Sequence, residues 1–250
     1  MSESDSDSDD ESVGEDLVAA AVAEGRTVLT EAESKTLLAE YGVDVPAFDV
    51  VGGADAAVDA AERIGYPVVV KVSAPAVSHK SEWGDGAGVT VGLDAPERVR
   101  EAAERVFAAA SERGIDADVL VESASDVDAG TEVIVGGLRD KSFGPVVLTG
   151  LGGVFTEVYE DTSHRVAPVS HAEARRALEE LTAARLLAGY RGRDPADIDA
   201  LATVVKAVGD LVVAHDGVEE VDVNPVLATA DGAVALDALV VLGGGDGDGS

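Results

Sequence analysis

Hydrophobic and polar positions change period along the chain in a way that predicts short helices and strands. Residues 29–42, LTEAESKTLLAEYG, have Thr30 as a helix N-cap, Glu33 three residues later as its capping-box partner and Gly42 as the helix end. The elements that follow are strand 46–51, helix 54–65, strand 66–72, strand 88–93 and helix 95–114. Such alternation predicts a small α/β lobe.

After residue 117 the strands follow one another more closely. Strands are predicted at 118–123, 131–139, 144–151 and 154–160, and again on either side of the Asp231–Gly232 turn. Helices are expected between Ser170, with Glu173 as its capping partner, and Ala214. The second half is therefore predicted to be an α+β lobe with a mostly antiparallel sheet. We expect lobes at 25–117 and 118–241, with disordered tails at 1–24 and 242–250.

Composition narrows the partners of the chain. The formal net charge is −31 and the isoelectric point about 4.1, so the surface should repel nucleic acid and anionic lipid, and neither is an expected partner. Acidic residues are spread along the whole chain and lysine is rare, which resembles proteins of halophiles that accumulate salt. There is no cysteine, and residues 1–12 do not resemble a signal peptide, so we expect a cytoplasmic protein.

Lys71 is the first candidate for chemistry because it lies inside the apolar strand YPVVVKV. A buried ammonium group needs an anionic partner, which a nucleotide phosphate could provide. An ion pair with a nearby carboxylate explains the residue equally well, so both interpretations stay open. The glycines at 84, 86 and 88, and Gly152 with Gly153, would allow close approach of a ligand, although ordinary turns explain them too.

A second candidate is the acidic strand EEVDVNP. Strand alternation places Glu220, Asp222 and Asn224 on one face, and Asp237 is expected on the partner strand. Carboxylate and amide oxygens from two adjacent strands could hold Mg²⁺. A solvated acidic face is the alternative in so acidic a chain.

His79 is a candidate nucleophile, because a neutral imidazole is available near neutral pH and histidine forms covalent intermediates. For a histidine without visible partners, a structural role is the commoner explanation. Of the other histidines, His171 and His215 are expected on helix surfaces, and His164 is assigned no role.

Several motifs, taken together and in order, resemble the ATP-grasp β subunit of the ADP-forming acetate:CoA ligases, relatives of succinyl-CoA synthetase. They are LLAEYGVDVP, YPVVVKV, SHKSE, residues 137–169, LLAGYRGRDPADIDAL, EVDVNPV and ALDA. The resemblance runs from about residue 25 to 240. It implies an ATP-grasp fold of the α+β or α/β class, in which two lobes clamp a nucleotide.

The resemblance also implies roles for particular residues. Lys71 is expected on the phosphates of ATP or ADP, Glu122 near the adenosine, and Asn224 and Asp237 on Mg²⁺. His79 matches a phosphohistidine that receives the phosphoryl group, Arg165 would stabilise the transferred group, and Asp222 or Glu220 would orient His79 or a metal-bound water. The remaining contacts expected with the nucleotide are Glu132, Gly152 and Gly153.

The reaction implied is acetyl-CoA + ADP + phosphate giving acetate + CoA + ATP. A partner α subunit, in an α2β2 assembly, is expected to bind CoA and form the acyl phosphate. Two alternatives remain: a free-standing ATP-grasp carboxylate-amine ligase, which would not need His79, and a nucleotide-sensing module without catalysis.

Overall fold

The computed structural model describes residues 13–77, 80, 83, 87–152, 161–190 and 194–243. His79, Gly84, Gly86, Gly153 and the strand predicted at 154–160 lie outside these residues. In the described part of the chain, no helix combines the length and the apolarity needed to cross a membrane.

The first sheet has strand order β1-β4-β2-β3, and each described pairing in it is antiparallel. Its strands are β1 (Phe48–Val51), β2 (Val68–Ser73), β3 (Val89–Leu93) and β4 (Asp118–Ser123). Helices α3 (Ala54–Ile64) and α4 (Pro96–Glu112) pack on one face and form an apolar core with it. The other face is free of these helices and turns towards the second half of the chain.

Strand alternation in β2 decides which side chains reach that open face. Val68, Val70 and Val72 belong to the core under α3 and α4. Val69 and Lys71 therefore point to the opposite face. Glu122 of β4 is the cross-strand partner of Val69, so it lies on the same face as Lys71.

The second sheet has strand order β10-β8-β5-β6-β7, with β9 also paired to β8. Its strands are β5 (Thr131–Asp140), β6 (Gly144–Leu151), β7 (Thr162–Val166), β8 (Val218–Thr229), β9 (Gly232–Ala235) and β10 (Ala238–Leu242). Helices α5 (His171–Glu179) and α6 (Ile198–Ala214) cover one face. At Gly137 of β5, a Cβ atom would lie 2.7 Å from Val212, so glycine allows α6 to pack closely on the sheet.

Two N-terminal helices complete the second core rather than the first. They are α1 (Val13–Ala23) and α2 (Glu31–Glu40), and α2 has the predicted capping box between Thr30 and Glu33. Val18, Leu37 and Leu38 are buried in the core of the second sheet. The first lobe is therefore inserted between α2 and β5 of the second.

The predicted lobe boundaries were wrong in three places. Residues 13–23 form a helix instead of a disordered tail, because apolar positions such as Val18 and Ala21 are buried. Strand 118–123 belongs to the first sheet, where it lies between β1 and β2, and not to the second lobe. Leu242, assigned to the C-terminal tail, is the buried last residue of β10.

Candidate active site

A cavity of about 500 Å³ lies between the open face of the first sheet and the second half of the chain. Its walls are mostly apolar, with Val69, Val89, Val91 and Leu236 around Lys71. The strand β4 ends there, and the segment 122–127 forms one edge. Its size and its mixture of apolar walls with a few polar groups are typical of small-molecule sites.

A second, smaller cavity of about 150 Å³ is lined by charged, amide and apolar residues. The charged and amide residues are Glu31, Lys80, Asp222, Asn224 and Asp237. Asp237 lies opposite Asn224 because the backbone N–H of Asn224 donates to the carbonyl oxygen of Asp237, 3.2 Å away. Lys71 links the two cavities: it lines the larger one and lies 2.7 Å from Oε1 of Glu31, which lines the smaller one. It also donates to the carbonyl oxygen of Leu236 at 3.0 Å.

Four buried charges form a closed ring beside the larger cavity. Lys35 and Lys71 both lie 2.7 Å from Oε1 of Glu31. Oε1 of Glu122 lies 2.7 Å from the ammonium group of Lys71, and Oε2 of Glu122 contacts the ammonium group of Lys35. We call these four residues, Glu31, Lys35, Lys71 and Glu122, the charge ring. Lys71 is therefore paired with carboxylates, as one of the two sequence interpretations predicted.

Lys80 extends the charge ring towards the small cavity. Its ammonium group contacts Oε2 of Glu31 and lies 3.1 Å from Oδ1 of Asp237. Burial opposes ionisation of Glu31, but the positive charges of Lys71, Lys35 and Lys80 outweigh it and hold the pKa of this carboxyl well below its usual value. Glu31 is therefore ionised and fixed by three ammonium groups.

Asp222 has the opposite electrostatic environment. Burial first, and then the negative charges of Glu220 and Asp237, raise the pKa of Asp222. The small cavity thus has an excess of negative charge, and its oxygen donors from Asp222, Asn224 and Asp237 match the ligands that Mg²⁺ prefers. The residues present fit a divalent cation.

The structure brings together five of the predicted site residues: Lys71, Glu122, Asp222, Asn224 and Asp237. Glu220 lies on the same face of β8 but is exposed and does not line either cavity.

Glu132 and Gly152 contact each other at the neighbouring ends of β5 and β6. The N–H of Gly152 donates to the carbonyl oxygen of Glu132 at 2.7 Å, and a Cβ atom on Gly152 would lie 2.9 Å from the Cβ of Glu132. Neither residue lines the two cavities. The glycine therefore serves close backbone packing in this arrangement.

Arg165 lies on the face of the second sheet opposite to Asp222. In the register of the sheet, Arg165 pairs with Val147, and Val147 pairs with Gly137. A Cβ atom on Gly137 would point to α6, so Arg165 lies on the face that α6 covers. Its guanidinium group contacts Glu180 at the end of α5 and donates to Ser163 Oγ at 2.9 Å. The strand register therefore does not bring Arg165 to the two cavities.

His164, the neighbour of Arg165, is on the face of Asp222, because the register connects it through Leu148 and Gly136. His215 was expected on a helix surface but is buried at the end of α6, where its Nε2 lies 3.0 Å from the hydroxyl of Tyr41. His171 is exposed, as expected.

Three residues of the site were missed by the sequence analysis: Glu31, Lys35 and Lys80. Glu31 and Lys35 are four residues apart on α2, which is the usual spacing of an exposed helix ion pair. Nothing in that spacing indicates burial. Lys80 directly follows His79, and the presence of a lysine there in so acidic a chain was the signal that could have identified it as a site residue.

A family model described as an ATP-grasp domain matches residues 20–242. The chain belongs to the ATP-grasp family. This ATP-grasp chain is 40% identical over 228 residues to the β subunit of acetate–CoA ligase [ADP-forming] I from Pyrococcus furiosus, a match that covers 91% of this chain and 97% of the relative. The resemblance predicted from the motifs is confirmed.

Solved structures agree with this ATP-grasp assignment. Acetyl-coenzyme A synthetase 1 of Ca. Korarchaeum cryptofilum, in complex with coenzyme A, Ca-AMPCP and HgCl⁺, matches with a TM-score of 0.85 and 37% identity, over 91% of this chain and 99% of that chain. Another structure of that enzyme, with coenzyme A and Mg-AMPPCP, has its phosphohistidine segment pointing towards the nucleotide binding site. It matches with a TM-score of 0.80 and 37% identity, over 92% of this chain and 100% of that chain.

We predict that Asp222→Asn stabilises the unliganded chain at neutral pH. The pKa of Asp222 is raised in the folded state, so the stability associated with its protonated form is present at low pH and is lost as the pH rises through the folded pKa. Asparagine avoids that loss. Chemical unfolding should show a higher midpoint for the variant at pH 7.5, and the difference should narrow towards pH 4.

Glu219→Gln is the matched control, because Glu219 is exposed on the same strand and the substitution removes the same charge. Equal stabilisation by both variants would show that net charge alone, and not the environment of Asp222, is responsible.

Proposed function

We propose that this chain is the nucleotide-binding β subunit of an ADP-forming acetyl-CoA synthetase. The reaction is acetyl-CoA + ADP + phosphate giving acetate + CoA + ATP. The observation that carries the proposal is the pair of adjoining cavities, one apolar with a lysine and one with carboxylate and amide oxygens, in a chain that aligns with 97% of a β subunit of that name.

The larger cavity would hold the adenosine part of ADP or ATP. Val69, Val89, Val91 and Leu236 provide flat apolar contacts for the base, and Glu122 lies at the edge formed by the end of β4. Lys71 lines this cavity and contacts Glu31, which lines the smaller one, so the phosphates would extend past it. Glu132, Gly152 and Gly153 are proposed as further nucleotide contacts, and the first two would need a different position from the one described to reach it.

The smaller cavity would hold Mg²⁺ between Asn224 and Asp237, with Asp222 beside them. A bound magnesium ion would neutralise charge on the transferring phosphoryl group. Lys80 lies 3.1 Å from Oδ1 of Asp237. A metal ion at this site would compete with that ammonium group for the same carboxylate.

His79 would carry the phosphoryl group. In the direction of ATP synthesis, the bond between phosphorus and the imidazole nitrogen breaks as an oxygen of the ADP β-phosphate forms its bond to phosphorus, and the imidazole leaves neutral after taking up a proton. Lys80, the next residue, contacts Asp237 and so lies beside the proposed metal ligands. Asp222 or Glu220 would orient the imidazole, and Arg165 would need a different position from the one described to contribute.

The partner would be an α subunit that binds CoA and forms the acyl phosphate, in an α2β2 assembly. The support is that the similar protein of Pyrococcus furiosus is the β subunit of acetate–CoA ligase [ADP-forming] I. The α subunit would then bind CoA and form the acyl phosphate, and this chain would bind the nucleotide. His79 would carry the phosphoryl group between the two subunits.

We expect His79→Ala to abolish CoA-dependent ATP synthesis when the chain is mixed with its α subunit. ADP affinity should change by less than about threefold, because a covalent carrier acts on the chemical step and not on nucleotide binding. Assays with acetyl-CoA, ADP and phosphate, together with calorimetry of ADP binding, measure both. Wild-type protein should also acquire an acid-labile, base-stable phosphoryl group.

His171→Ala is the matched control, since His171 is exposed on α5 and is outside both cavities. Full turnover of the His79 variant would refute the relay and would favour direct acyl-phosphate chemistry, as in a carboxylate-amine ligase. Nucleotide binding without turnover by the wild-type pair would favour a sensing module.

Asp237→Ala should weaken Mg·ADP binding by about tenfold or more, a loss of at least about 1.4 kcal/mol. The reason is the loss of one carboxylate from the proposed cation site. Calorimetry with and without Mg²⁺ measures the effect, and Asp231→Ala, at an exposed turn position, is the control. Equal Mg²⁺ dependence in the Asp237 variant and the wild type would reject the assignment.

We also propose that the chain is adapted to high salt, as in halophiles. The net charge of −31 places unscreened carboxylates close together at low ionic strength, and their repulsion opposes folding. The melting temperature should therefore rise as KCl increases from low to molar concentration. Sucrose at the same concentrations is the control, because it is an excluded solute that does not screen charge. A melting temperature that does not change with KCl would contradict the proposal.

A further inference from the structure

Lys35 is the member of the charge ring that lines neither cavity. Its side chain is 0% exposed, and it approaches Glu31 and Glu122 from α2. Lys71 approaches the same two carboxylates from β2 and lines the larger cavity. The two lysines therefore share their anionic partners, but only one of them can reach a ligand.

The number of lysine partners that each carboxylate has shows why the second lysine matters. Glu31 has a further partner in Lys80, whereas the partners of Glu122 among the described residues are Lys35 and Lys71. Leaving a buried carboxylate without a counter-ion costs several kcal/mol. If Lys35 were absent, Lys71 would be the remaining ammonium group on Glu122 and would be held there.

With Lys35 in place, Glu122 keeps a positive partner when Lys71 turns towards an anion in the cavity. Lys35 contacts Oε2 of Glu122, while Lys71 contacts Oε1 at 2.7 Å, so one contact can break without the other. Oε1 of Glu31 likewise remains 2.7 Å from Lys35.

We propose that Lys35 is a positioning residue that frees Lys71 to bind the nucleotide phosphates. This inference rests on the proposed function, because it needs a phosphate-bearing ligand in the larger cavity. It assigns a specific effect to Lys35: the residue should influence the affinity for phosphates while leaving the affinity for the nucleoside nearly unchanged.

The test compares the affinities of the full chain for ADP and for adenosine, both measured by calorimetry with Mg²⁺ present. The ratio of the two isolates the contribution of the phosphates. Lys35→Met should lower this ratio at least tenfold, with the adenosine affinity changed by less than about threefold. Lys71→Met is the reference for complete loss of the lysine contact, and Lys35→Arg should keep a ratio near that of the wild type.

A compensating variant separates this role from a purely structural one. In the double variant Lys35→Met with Glu122→Gln, the carboxylate that would hold Lys71 is gone, so the ratio should return to within about threefold of the wild type. Any direct effect of Glu122 on adenosine cancels in the ratio. Should Lys35→Met not fold, as judged by circular dichroism, Lys35→Gln should show the same loss and the same rescue.

An unchanged ratio in a folded Lys35→Met or Lys35→Gln variant would overturn the role of Lys35 alone, as would a loss that the Glu122 substitution does not reverse. A wild-type chain that binds neither adenosine nor ADP would instead overturn the proposed function, and this inference with it.

Discussion

The charge ring is the interaction on which the arrangement of the two lobes depends. Glu31 and Lys35 come from α2, which packs in the core of the second sheet, whereas Lys71 and Glu122 come from the first sheet. Removing four charges from water is unfavourable unless each finds partners in good geometry. Each carboxylate pairs with one lysine of its own lobe and one of the other, so two of the four contacts of the ring form only when the lobes are correctly juxtaposed.

Two carboxyl groups that line the smaller cavity have opposite electrostatic environments. Three lysines lower the pKa of Glu31, whereas burial and neighbouring carboxylates raise the pKa of Asp222. A ligand that carries both an anionic phosphate and a divalent cation would match this polarity along its length. Its binding would exchange partners among charges that are already close together, which requires less rearrangement than filling an uncompensated site.

Local rules predicted the parts of the site that depend on neighbouring residues. Strand alternation placed Asp222 and Asn224 together, and the hairpin brought Asp237 opposite them. Side-chain capping fixed the start of α2 at Thr30. The same rules failed for Glu31 and Lys35, because burial of a helix face depends on what packs against it and not on its spacing. The role of Arg165 came from the family resemblance and not from these rules, and the face on which it lies is set by the register of β6 and β7.

The insertion of one lobe within the other affects how the chain acquires its structure during synthesis. Helices α1 and α2 are made before the strands that bury them, β8 to β10. The first sheet, by contrast, is complete once β4 has been made. The inserted lobe can therefore fold early, while the apolar residues of α1 and α2, among them Val18, Leu37 and Leu38, lack the core that buries them until the final strands are made. These two helices are thus the part of the chain that exposes apolar surface longest during synthesis.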